Sequence, residues 1–273
     1  MIIDEIKDYI KSCDAVLITA GAGIGIDSGL PDFRGQEGFW NTYPKAKELN
    51  IRFSQLANPQ WFYTNPKIAW AFYGHRFNLY KNTIPHKGFY KLLDLVKQKN
   101  DNYFIYTSNV DGQFQKAGFD EDKIMECHGS ISYFQCLDNC KNNVWKNEKE
   151  ISLDFEKFEA NNIPKCIHCE SIARPSILMF NDWDWNSKIS DKQKYRFRTW
   201  LKKIRKSKAK VVIIEIGAGK VIPTIRNLGH TLVKNHIEHF KLIRINPRDF
   251  EIDDNIGYSL KLGGLEGINK ILN

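Results

Sequence analysis

Long apolar runs are missing from this sequence. No stretch approaches the roughly 20 residues that a membrane-spanning helix needs, which excludes an integral helical membrane protein. A basic start followed by an apolar segment is also missing. The chain opens MIIDEIKDYI, with acids where a secretory leader carries bases, so the expected location is the cytoplasm. Internal repeats and low-complexity tracts are absent, which excludes solenoids and disordered linkers. The dinucleotide fingerprint G-x-G-x-x-G is absent too. The glycines after the first apolar run stand at 21, 23 and 25, position 26 is isoleucine, and no acid ends a second strand about 20 residues on. A nicotinamide dehydrogenase of the usual pattern is thereby disfavoured.

What is present is ordinary in bulk. Hydrophobic residues make up 42% of the 273 and charged residues 26%, as in a globular protein. The net charge of +8 comes largely from residues 188–210, which hold eleven Lys or Arg against the single acid Asp191. Such a stripe can hold nucleic acid. Here Tyr195, Phe197, Trp200, Leu201 and Ile204 supply an apolar side, and no nucleic-acid motif accompanies the charge. The expectation is therefore a helix with a solvated basic face, with neither nucleic acid nor membrane as partner.

Four short apolar runs, AVLIT (15–19), YFIYTS (103–108), KVVIIEIG (210–217) and KLIRIN (241–246), each end in small polar residues. Runs apolar on both faces suit buried parallel strands. Helical patterns lie at 2–11, 88–97 and 222–238. The alternation predicts an α/β fold with a doubly wound, Rossmann-like parallel sheet, whose ligands sit beyond the carboxyl ends of the strands. Two segments break it: an aromatic-rich helical insertion at 36–86 and a cysteine-bearing module at 130–176. Residues 1–273 are expected to form one catalytic domain.

The motifs follow the runs directly. TAGAGIGIDSGLPDFRG (19–35) joins a glycine loop, which lets backbone N–H groups approach phosphate, to Asp32, Phe33 and Arg34: an acceptor, a ring and a fixed cation. In TSNVDGQF, Asn109 and Asp111 alternate, so they point the same way from an extended segment. MECHGSI offers His128 as a general base. Its neighbour Cys127 faces the other way and is set aside as a nucleophile. Cys136-x3-Cys140 and Cys166-x2-Cys169 have the paired spacing of a closed, structural four-thiolate zinc site, with His168 unneeded as a ligand.

In this order the motifs resemble the sirtuin family, the NAD-dependent protein-lysine deacylases. GAGIG and SGLPDFRG are similar to the family's GAG-x-S and SGIPDFRG, TSNVD to TQNID, and the HG and four cysteines match. ARPSILMFND is similar to RP-x-VV-x-FGE, IGAGKVIP to GTS-x-x-V-x-P, and RIN to the adenosine-binding IN. PHKGFYKL matches the P-x-x-AH helix less closely. The resemblance implies an NAD site built from Gly21, Ala22, Gly23, Asp32, Phe33, Arg34, Trp40, Ser108, Asn109, Val110, Asp111, Gly217, Ala218, Gly219, Asn246 and Gly264.

It also implies that His128, Asn109 and Asp111 are catalytic, that the acyl group passes to ADP-ribose with release of nicotinamide, and that residues 177–182 pair as a strand with an acyl-lysine protein or peptide. Ile177, Met179 and Phe180 would touch that substrate. So would Tyr73 and Arg76, three apart on one helical face, resembling the pair by which some sirtuins accept succinyl- and malonyl-lysine. Departures from the pattern are Gly25 for serine, Ser108 for glutamine, Ala218 and Gly219 for Thr and Ser, and Asn181 and Asp182 for Gly and Glu. They leave an ADP-ribosyltransferase or NAD glycohydrolase as the alternative. The oligomeric state is not fixed by the sequence.

Overall fold

The computed structural model describes residues 2–31 and 36–273. The chain enters through α1 (Ile2–Ser12), whose Ile6 and Ile10 face inward, and continues into β1 (Ala15–Ala20), every residue of which is buried. Short helices follow: α2 (Gln36–Thr42), α3 (Pro44–Glu48), α4 (Phe53–Leu56) and α5 (Gln60–Thr64). They lead into α6 (Pro66–Asn82), which starts on Pro66 with Asn65 Oδ1 accepting the Ile68 N–H and is buried nearly all round. Then come α7 (Lys87–Gln98), β2 (Tyr103–Thr107), α8 (Gln113–Lys116) and β3 (Ile124–Glu126).

The cysteine-bearing module contributes β4 (Gly129–Cys136), β5 (Val144–Lys146), β6 (Leu153–Asp154), β7 (Glu159–Ala160) and β8 (Ala173–Ile177). The chain closes with α9 (Lys188–Ser207), β9 (Val211–Ile216), α10 (Thr224–Asn235), β10 (Phe240–Ile245), β11 (Gly257–Leu260) and α11 (Gly264–Leu272).

Six strands form one sheet in the order β11-β10-β9-β1-β2-β3, with every pairing parallel. Ranked by chain order within the sheet, this is the doubly wound 3-2-1-4-5-6 arrangement. The four apolar runs are its four central strands. Edge strands β3 and β11 went unpredicted because they are short and carry polar residues, as edge strands do. Helices α1, α7 and α11 cover one face, burying Ile6, Phe89, Leu92 and Ile268 against Val16, Ile105 and Ile214. Helices α9 and α10 cover the other through Phe197, Leu201, Leu232 and Val233.

The basic stretch is thus an amphipathic helix, with one correction. Tyr195, expected on its apolar side, is 73% exposed, and the inward positions besides Phe197, Leu201 and Ile204 are the polar Ser190 and Gln193. A second aromatic core joins α2–α6 to the small antiparallel sheet β5-β4-β8, with Trp70 packed 4.9 Å from Phe134 and donating from Nε1 to the Ala173 carbonyl. No helix among the described residues is long and apolar enough to cross a membrane.

Candidate active site at the sheet switch point

The strand order reverses between β1 and β9, and the loops after these two strands touch there. The Gly21 N–H donates to the Ile216 carbonyl and the Gly23 N–H to the Gly217 carbonyl, both at 3.0 Å. A Cβ on Gly21 would lie 2.7 Å from the Gly217 oxygen, and Gly217 itself has φ +65°. Close backbone approach therefore fixes these glycines. Asn246 holds the next loop: its Nδ2 donates to the Ala218 carbonyl at 2.9 Å, and its Oδ1 accepts the N–H groups of Arg248 and Asp249. Gly264 opens α11 against Ile24 and Asp27, and Asp27 accepts the Leu265 N–H at 2.8 Å. Asn246 and Gly264, expected by resemblance at the cofactor site, tie the loops at this junction together. Gly219 has open space before it, with Asp249 Oδ2 3.8 Å from a Cβ placed there.

Beside this junction lies a cavity of about 290 Å³. It brings together Ala22, Ser108, Asn109, Val110, Asp111 and His128 from the sheet side with Tyr73, Arg76, Ile177, Met179 and Phe180 from the insertion and the β8 end. Of the expected site residues, Gly21, Gly23, Trp40, Gly217, Ala218, Gly219, Asn246 and Gly264 do not line it. Trp40 packs in the aromatic core and donates to the Ile51 carbonyl at 3.0 Å. Asp32, Phe33 and Arg34 lie outside the described residues. Leu30, Pro31, Phe53, Ala57, Tyr80 and Ile222 also line the cavity and were not anticipated, and Leu178 lines it from within the 177–182 segment. Tyr80 was findable: four residues after Arg76, it shares that helical face.

Each polar side chain is held from behind. Asn109 Nδ2 donates to the Gly21 carbonyl at 3.0 Å, and its N–H is taken by Thr107 Oγ1. Asp111 Oδ1 accepts the Gln113 N–H at 3.0 Å. Burial pushes the Asp111 carboxyl up to about 6, while that N–H and the Arg76 charge pull it back. His128 sits in the turn between β3 and β4, its carbonyl accepting the Leu178 N–H at 3.0 Å. Gly129 must follow it: φ is +76°, and a Cβ would fall 2.2 Å from the Ser176 carbonyl oxygen. Cys127 packs on the far side, with the core under α9.

Arg76 is 8% exposed, Tyr73 1%. Arg76 is therefore an inward-facing cation and not part of the solvated helix surface. Its Nε donates to Tyr80 Oη at 3.1 Å, and its guanidinium lies 5.2–5.6 Å from the ring centroids of Phe72, Tyr73 and Tyr80.

β8 ends at Ile177, and the next three N–H groups are occupied within the chain: Leu178 by the His128 carbonyl, Met179 by Asp182 Oδ2, Phe180 by the Ala57 carbonyl. Asp182 is itself buried in a two-pronged pair with Arg174. The aspartate, one carbon shorter than glutamate, anchors this segment from inside.

Glu126, two residues before His128, was missed because a lone acid in MECHGSI carries no pattern. It is 3% exposed. Gln193 of α9 brackets it, accepting its N–H at 2.9 Å and donating to its Oε2 at 3.1 Å, while Ser190 Oγ donates to its carbonyl at 3.0 Å. Burial pushes the Glu126 carboxyl up to about 7, with Gln193, Gln115 and Ser130 opposing and Asp111 adding to the rise. A carboxyl with a raised folded pKa holds its proton longer in the native state. Its stabilising share is complete below the unfolded value near 4.5 and is lost as pH rises toward 7. The shift corresponds to roughly 3 kcal/mol. Glu126→Gln is expected to flatten the fall in unfolding free energy between pH 5 and pH 8 by roughly 2–3 kcal/mol, measured by urea titration at the two pH values. Equal falls in variant and wild type would contradict the assignment.

The four cysteines meet as expected. All four Sγ atoms lie within 4.8 Å of one another, with Cys136–Cys169 and Cys140–Cys166 each at 3.6 Å. A tetrahedron with Zn–S of about 2.3 Å sets its sulfurs about 3.8 Å apart, so the cluster fits a closed structural zinc site. It sits at one end of the small sheet, tying the end of β4 to the segment that leads into β8, since Cys136 is the register partner of Ala173.

Known proteins carry the same architecture. The NAD-dependent protein deacylase of Aquifex aeolicus is 32% identical over 167 residues, covering 61% of this chain and 62% of the relative. That of Pyrococcus abyssi is 34% identical over 182 residues, 67% of this chain and 66% of the relative. The aligned part thus spans just under two thirds of each. A crystal structure of a Sir2 homologue–NAD complex superposes with a TM-score of 0.74 at 25% identity, over 98% of this chain and 92% of that one. Residues 21–214 match the Sir2 family, and with the switch-point cavity and the four-cysteine module in place, the chain belongs to it.

Proposed function

We propose that this protein is an NAD-dependent protein-lysine deacylase that moves the acyl group from lysine to ADP-ribose and releases nicotinamide. The observation that carries the reading is the single cavity in which His128, Asn109 and Asp111 meet Arg76, Tyr73 and the 177–180 segment. A Sir2 homologue of the same fold is solved with NAD, which supports NAD as the cosubstrate. When bound, NAD supplies an electrophilic ribose carbon once nicotinamide departs.

The chain's own groups would do the rest. His128 accepts a proton from a ribose hydroxyl. Asn109, with its amide fixed on Gly21, orders the ribose and water. Asp111 accepts from the carboxamide. Ala22, Leu30 and Ile177 exclude bulk water from the cavity. Zinc on Cys136, Cys140, Cys166 and Cys169 would be structural, contributing folding energy alone.

Arg76 points to the acyl group. A free carboxylate in a largely apolar pocket is heavily penalised, and a guanidinium with phenols beside it offsets that cost through charge-assisted bonds. Succinyl- and malonyl-lysine are therefore proposed as substrates at least as good as acetyl-lysine. Product analysis tests the reading: O-acyl-ADP-ribose is expected, whereas ADP-ribose alone or ADP-ribosylated protein would indicate the alternative chemistry. Arg76→Met is expected to lower kcat/KM for succinyl-lysine by about 10-fold or more, a charge-assisted bond contributing about 1.5–3 kcal/mol, while sparing acetyl-lysine. Equal losses on both substrates would remove Arg76 from acyl selection.

A further inference from the structure

Trp183 is 94% exposed, the most exposed large apolar side chain described. It does not sit on a loose loop. One residue before it, the Asp182 carboxylate is buried on Arg174 and on the Met179 N–H. One residue after it, the Asp184 carbonyl accepts from Gln135 Nε2 at 2.8 Å and from Asn139 Nδ2 at 3.3 Å. Two residues further, the Asn186 N–H donates to Gln135 Oε1 at 2.9 Å and its Nδ2 to Asn142 Oδ1 at 2.7 Å. The backbone is pinned on both sides, and the indole is held outward between the pins.

The surroundings are acidic and aromatic, although the protein as a whole is cationic. Tyr63, 51% exposed, donates to the Leu137 carbonyl at 3.2 Å. Leu137 precedes Asp138, and Asn139, which follows it, donates to the Asp184 carbonyl, so these hydrogen bonds gather Tyr63, Asp138 and Asp184 on one side of the module. The phenol is pushed up by burial first, with Asp184 and Asp138 adding to the rise and Arg174 opposing it. No cation among the described residues pairs with Asp184 or Asp138. Phe180 lines the catalytic cavity and is 39% exposed, so the patch begins at the cavity mouth. Trp183 is three positions beyond Phe180, a span of at most about 10 Å. A peptide running outward in extended form covers that distance in about three residues.

We infer that Trp183, Tyr63, Asp184 and Asp138 form a subsite for a lysine or arginine side chain lying within about three residues of the acylated lysine. A cation over an indole face with carboxylates beside it gains from both the ring quadrupole and the charge. The inference rests on the deacylase reading for the identity of the polypeptide. The charge complementarity rests on the patch alone.

The experiment uses two peptide series, centred on acetyl-lysine and on succinyl-lysine, with a single Arg, Ala, Leu or Glu placed in turn at each of the three positions on either side. Turnover gives kcat/KM, and fluorescence anisotropy of labelled peptides gives binding without turnover. Arg is expected to exceed Ala by about three- to tenfold at one or two adjacent positions, and Glu to fall below Ala. The Arg/Ala ratio is expected to drop to near one in Trp183→Ala and to shrink in Asp184→Asn, both at surface positions where folding is unaffected. Added salt should weaken it.

Equal binding of Arg and Glu peptides would overturn the inference, as would a preference for Leu over Arg or an Arg preference that survives both substitutions. If Arg peptides bind preferentially through Trp183 but no peptide is deacylated, the subsite stands and the deacylase reading falls.

Discussion

Removing any one of the four cysteines, as in Cys166→Ser, is expected to cost the protein its folded small sheet. Four thiolates within 4.8 Å of one another form a cage that repels itself when empty and ionised. Metal in such a cage contributes apparent binding energies of about 10–16 kcal/mol in isolated zinc modules at neutral pH, as large as the whole net stability of a typical domain, roughly 5–15 kcal/mol. The consequence travels to the cavity. β4 begins immediately after His128, and β8 ends at Ile177, which lines the cavity. Elemental analysis is expected to give one zinc per chain. Chelation or Cys166→Ser is expected to lower the thermal midpoint steeply and to abolish turnover with it. Full stability and activity in a metal-free protein would refute the structural assignment.

His128→Ala is expected to leave the fold and NAD binding intact and to reduce deacylation by about 10²–10⁴-fold, the usual loss on removing a general base. The fold should tolerate the change because the turn is held by groups other than the imidazole. Gly129 nests against Ser176, Glu126 is bracketed by Gln193 and Ser190, and the His128 carbonyl, which survives the substitution, accepts the Leu178 N–H. NAD titration calorimetry beside single-turnover product analysis separates the two effects. Near-normal turnover would remove His128 from the chemistry. Loss of NAD binding in step with turnover would make it a binding residue.

The parts legible in the sequence share one property: they repeat or cluster locally. The four central strands were found because β1 and β9 are buried along their whole length and so read as unbroken apolar runs. The cysteine pairs were found because a tetrahedral site needs two close knuckles. Tyr73 and Arg76 were singled out by resemblance to a family pair, and their spacing of three, nearly one helical turn, put them on one face. The parts that were missed involve partners far apart in the chain. Glu126 meets Gln193 67 residues on, and only α9 crossing behind β3 makes that contact. Asp182, by contrast, was missed at short range, where it turns back onto Arg174 and the Met179 N–H. Tyr195 stands two positions from both Gln193 and Phe197, about 200° round the helix from the buried face, so the period itself puts it in solvent.

By itself the sequence determined the sheet, the thiolate cage and the order of motifs, because burial on both strand faces, metal-ligand spacing and strand-end polar clusters are written over a few consecutive residues. Only the tertiary structure decided which side chains share a cavity. It turned Asn246 and Asp182 into internal ties, buried Arg76 among three aromatic rings, and held Trp183 out into solvent. Packing and hydrogen-bond satisfaction choose those partners, near in the chain for Arg76 and Asp182 and far for Asn246, and the order of residues alone does not rank them.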